Sequence, residues 1–161
     1  MRKLSWLISL AISLIGFLFI GAMFATKPDE ATNSGNFGFV GLIFLAPFIL
    51  LSLFTTYRYF LTITLESTDW IFKLFGMIGG ILLIGIIIYL FNDFKIDTLI
   101  ALGEPYANRY DHLWSIPKLN EHTYSLYFNF YTYMLIHSAA GLLGALFALI
   151  QPKKKLLDKI E

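Results

Sequence analysis

The sequence predicts an all-α integral membrane protein: a four-helix transmembrane bundle with both termini cytoplasmic and a partly structured outer loop between the third and fourth helices. Three observations point there. Four apolar runs, at about 4–25, 37–60, 71–92 and 126–150, contain no Asp or Glu. A hydrocarbon core ~30 Å thick needs ~20 helical residues to cross it, and each run is that long. Hydrophobic residues make up 57% of the chain and charged residues only 14%, whereas a soluble domain carries roughly a quarter charged. The whole chain, 1–161, reads as a single membrane domain.

The first span follows Met1-Arg2-Lys3, which gives it the outline of a secretory signal. Its apolar stretch is longer than the ~7–15 residues of a signal core. No small-x-small cleavage site follows, because Met23 stands two residues before Ala25. An uncleaved helix is expected. Ser5, Ser9 and Ser13 recur in it at spacing four, with Gly16 close to the same face.

A turn over 26–36, with Pro28, Asn33 and Gly35, leads to the second span. Pro47 near its middle removes a backbone donor and is expected to kink it. Residues 61–66 alternate apolar and polar, but a lone strand has no partner, so they are expected to extend the helix along the interface. Ser67, Thr68 and Asp69 are candidate N-caps for the third span. That span carries Gly76 and Gly80 as a GxxxG pair, with Gly79 beside them. The fourth carries Ala140, Gly144 and Ala148 at the same spacing, flanked by Gly141 and Ala145. Lipid tails are as apolar as Leu, so membrane helices associate by close packing, and small residues at spacing four permit it. These stripes are the expected helix-packing surfaces.

Lys and Arg set the orientation. With the N-terminus inside, the inner side holds Arg2, Lys3, Arg58, Lys73, Lys153, Lys154, Lys155 and Lys159, and the outer side only Lys27, Lys95, Arg109 and Lys118. Trp6, Tyr57, Tyr59 and Trp70 then fall at the inner interface and Tyr89 at the outer one. The basic tail, 151–161, reads as a stop-transfer anchor against anionic lipid.

The outer loop, 93–125, is longer than an ordinary connection and rich in aromatics, among them Tyr106, Tyr110, Trp114 and Tyr124. Residues 97–103 are expected to form a short helix capped by Asp97 and stopped by Gly103-Glu104-Pro105. The loop reads either as an aromatic belt on the headgroups or as a docking surface with Arg109, Tyr110 and Trp114 as anchors.

Little reactive chemistry is present. There is no Cys, which removes disulfides, thiolate metal sites and thiol nucleophiles. The formal net charge of +1 offers no basic field for nucleic acid. His137 is the one ionisable residue well inside a span, and Tyr131, Tyr133 or Ser138 are its expected hydrogen-bond partners. No second axial ligand for haem stands at its depth on another span. Asp111-His112 and Glu121-His122 have metal-binding residue types but no established ligand spacing. No cofactor and no catalysis are therefore expected. The expected role is a non-enzymatic subunit or accessory factor of a larger complex in a bacterial inner membrane, with lipid and other membrane subunits as partners. The other classes are a membrane immunity or defence protein, a redox or quinone-binding subunit using His137, and an oligomeric channel lined by Ser5, Ser9 and Ser13. No inverted repeat suggests a transporter.

Overall fold

The computed structural model describes residues 2–25, 37–103, 106–109, 114–115, 117–120 and 122–150. They form six helices: α1 (Arg2–Met23), α2 (Phe37–Glu66), α3 (Trp70–Leu102), α4 (Tyr106–Arg109), α5 (Tyr124–Tyr127) and α6 (Phe130–Ile150). Among the described residues there is no strand, and four helical segments are long and apolar enough to cross a membrane. A helix satisfies its own backbone, which a segment in lipid requires, so continuous apolar sequence resolves into helix here.

The punctuation follows local chemistry. Asp69 caps α3, its carboxylate accepting from the Ile71 backbone N–H at 2.9 Å. Residues 61–66 continue α2, as expected from their sequence. The third span is longer than its apolar run. Asp97 does not start a separate helix, because 93–102 prolong α3 to a 33-residue rod about 50 Å long, well beyond a ~30 Å hydrocarbon core. Asp93, Lys95 and Asp97 all lie within this extension. Lys95 is only 1% exposed, with its stem packed inward and its ammonium donating to the Ser115 carbonyl. Leu99 is buried beside it. Gly103 ends the rod as expected, at φ 72°, with its N–H returning to the Ile100 carbonyl.

The fourth span does not enter as one helix. α5 stops at Tyr127, and Asn129 restarts the chain. Its Nδ2 donates to the carbonyls of Ser125 and Leu126, and its Oδ1 accepts from the Thr132 N–H. Phe128 sits in this break and joins Phe17, Ile20, Tyr124 and Tyr133 in the apolar core where α1, α5 and α6 meet. Gly21 of α1 lies against the Phe128 backbone, and a Cβ there would collide with the Phe128 carbonyl.

α6 occupies the centre. It packs on α2 along one side and on α3 along another, while α1 packs on α2 and closes over α5. α3 leans chiefly on α6. At Gly144 α6 approaches α2 closely, and a Cβ there would strike the Tyr57 carbonyl. The loop before α5 is tied down by its own polar groups. Thr123 Oγ1 accepts from the Asn120 N–H and donates to the Lys118 carbonyl, and Tyr127 donates its phenol proton to the Pro117 carbonyl.

Candidate functional site

A seam of polar side chains runs between the long helices. Near the start of α1, Trp6 donates from its indole to Thr56 Oγ1 at 3.0 Å, and Ser9 shares a 3.0 Å hydrogen bond with Thr55. One turn further, Ser13 is fully buried and bonds the Tyr133 hydroxyl at 2.7 Å. Tyr133 also donates to the Leu10 carbonyl at 2.9 Å. Its ring stacks on His137 with centroids 4.0 Å apart. The histidine completes the seam toward α2, where Nε2 lies 2.9 Å from Ser52 Oγ. Away from water each of these groups needs a partner, and the partner comes from a neighbouring helix.

The protons of this seam can be assigned. Nδ1 of His137 lies 2.9 Å from the Tyr133 carbonyl, which only accepts, so Nδ1 carries a hydrogen. In the neutral ring Nε2 is then an acceptor, and Ser52 donates to it. In the protonated ring Nε2–H donates to Ser52, whose own proton turns to the Ile49 carbonyl 2.9 Å away. One hydroxyl rotation serves both states. Both ring nitrogens are engaged within the chain, so a haem iron or quinone oxygen could reach His137 only by displacing Ser52 or the carbonyl.

Beside the seam lies an apolar cleft of about 630 Å³. Leu10 and Leu14 of α1 form one wall, Gly76 and Gly79 of α3 the other, and His137 and Leu142 of α6 line it between them. It exists because α3 leans on α6 rather than on α1. A Cβ on Gly76 or Gly79 would meet nothing within 4 Å, and one on Gly80 would meet only the Leu142 side chain.

The predicted site residues therefore separate. Ser9 and Ser13 turn into the chain, while Ser5 lines a second groove between α1 and α2. Gly144 and Ala148 are buried and Ala140 is half-buried, whereas Gly76 and Gly80 face the cleft. Ile87 of α3 is buried at 6% exposure. Trp114 is 86% exposed and Arg109 is exposed at the end of α4. Tyr110, Asp111, His112 and Glu121 lie outside the described residues. His122 sits edge-on to Tyr106. Among the described residues no three His, Asp or Glu converge as a metal site. Of the partners named for His137, Tyr133 contributes its backbone carbonyl and ring, and Tyr131 packs at a tilt against Phe94 instead. Ser52 was missed; its signal was the Ser52/Thr55/Thr56 pattern, polar residues at helical spacing inside an apolar span.

The chain matches no family model, and no curated protein or solved structure is significantly similar to it.

Proposed function

We propose that this protein is a non-enzymatic subunit or accessory factor of a larger membrane complex, and that it seats a transmembrane helix of a partner in the cleft between α1 and α3. One observation carries this reading: Gly76 and Gly79 present bare backbone to an apolar cleft that no part of the described chain fills. In lipid, exposed glycine gives a neighbouring helix its closest approach and its largest dispersion gain. Intramolecular packing does not account for these two glycines, as it does for Gly144. The reading places the chain in a bacterial inner membrane with both termini cytoplasmic, on the Lys and Arg count. It also assigns the outer aromatic loop, through Arg109, Tyr110 and Trp114, to the same complex.

The test is site-specific crosslinking in the native membrane. A photoreactive residue at Leu83, which lines the cleft, is expected to give one discrete protein adduct. Gly79→Leu is expected to abolish that adduct while the chain stays abundant. Adducts to lipid alone, or an adduct indifferent to Gly79→Leu, would overturn the proposal.

A further inference from the structure

We infer that the groove between α1 and the last turns of α2 is a binding site for one zwitterionic phospholipid with a primary ammonium headgroup. The groove is about 410 Å³ and lies where α1 begins and α2 ends. Phe54, Arg58, Thr62 and Glu66 of α2 all line it. They are spaced by four, so they form a single stripe along the helix. From the membrane outward the stripe reads ring, cation, hydroxyl, carboxylate. A phospholipid lying alongside presents acyl chain, phosphate and ammonium in the same order.

Among the described residues the two charges do not pair with each other, and neither Arg58 nor Glu66 makes another ion pair. They stand two helical turns apart, about 12 Å along the axis, too far for a direct pair without reorganisation. The phosphate and ammonium of one headgroup bridge that gap, with each charge meeting its opposite. Side chains on a helix lean toward its N-terminus. On α2 that direction is into the membrane, so Arg58 cannot snorkel easily. Its guanidinium lies 5.9 Å from the centre of the Phe54 ring. A cation held toward hydrocarbon calls for an anion brought to it, and guanidinium grips phosphate through paired N–H donors.

The opposite wall is already built. Trp6 stacks on Tyr59 at 4.0 Å with their planes 13° apart, and its indole is pinned to Thr56. Two stacked amphipathic rings at this level suit the interface, where a headgroup meets its chains. An anionic lipid with a glycerol headgroup fits the groove less well, because it brings a phosphate to Arg58 but no ammonium to meet Glu66. A choline headgroup offers Glu66 no N–H donor.

The protein should be reconstituted into phosphatidylcholine vesicles containing equal phosphatidylethanolamine and phosphatidylglycerol, extracted in mild detergent, and weighed intact by mass spectrometry. The folded wild-type protein is expected to retain one phosphatidylethanolamine, favoured over phosphatidylglycerol by about fivefold or more. Arg58→Gln should lose retention of both lipids. Glu66→Gln should keep a bound phospholipid but lose the preference. Both positions are exposed, and helicity by circular dichroism checks that the variants remain folded. Equal retention of the two lipids by the wild type, a preference for phosphatidylglycerol, or unchanged retention in Arg58→Gln would each overturn the inference.

Discussion

Ser13 and Tyr133, 120 residues apart in sequence, share a 2.7 Å hydrogen bond that joins α1 to α6. It lies at the level of the His137–Ser52 bond joining α6 to α2. Three helices are thereby registered at one depth by two contacts. Tyr133→Phe removes one of them and leaves Ser13, which can still donate to the Leu10 carbonyl 3.1 Å away. Polar pairs between membrane helices are worth about 0.6 kcal/mol on average, so Tyr133→Phe should lower stability by roughly 0.5–1.5 kcal/mol. A double-mutant cycle with Ser13→Ala, read by unfolding in mixed micelles, should return a coupling in that range. Additive effects would show that the bond contributes nothing.

Glycines in equivalent sequence motifs should behave differently. Gly144→Leu drives a side chain into the Tyr57 backbone and should sharply reduce folded protein. Gly76→Leu meets open space and should leave the isolated protein as stable as the wild type. Thermal unfolding in detergent checks both. Equal losses would mean that α3 and α6 pack alike.

The His137 assignment makes a spectroscopic prediction. Nitrogen-15 shifts of the ring at neutral pH should report a protonated Nδ1. Ser52→Ala removes the partner of Nε2 and should move the Nε2 resonance much further than the Nδ1 resonance. The reverse pattern would reject the assignment.

Topology and loop function separate cleanly. Reporter fusions after Asn33 and Asn108 should read outside, and those after Glu66 and Glu161 inside. Trp114 is so exposed that Trp114→Ala should leave insertion and thermal stability within about 0.5 kcal/mol of wild type. Under the proposed function it should still weaken co-purification of the complex. Unchanged association in both Trp114→Ala and Arg109→Ala would remove the loop from the interface.

Much of this architecture was legible because lipid simplifies the code. A backbone in hydrocarbon becomes helix, and Asp69 and Gly103 mark helix ends by local hydrogen bonding alone. The top of α3 was not legible. Asp93, Lys95 and Asp97 read as loop, since sequence does not reveal that Lys95 is buried and its ammonium donates to the Ser115 carbonyl. The packing role of each glycine was equally hidden. Gly76 and Gly144 occur in similar patterns, but Gly144 lies against the α2 backbone at Tyr57 while Gly76 faces the open cleft. Gly21 stood in no pattern, and its use depends on the Asn129 break bringing Phe128 against α1.

The central place of α6 bears on biosynthesis. It is the fourth span to leave the ribosome, yet α2 and α3 both find their main partner in it. Until it emerges, α3 has no long neighbour to hold it, and Ser13 and Ser52 face lipid without Tyr133 and His137. In order of synthesis, the α1–α2 contact is therefore complete in sequence before the main partner of α3 exists. A chain cut short before residue 124 would keep the α1–α2 contact and lack the main partner of both α2 and α3.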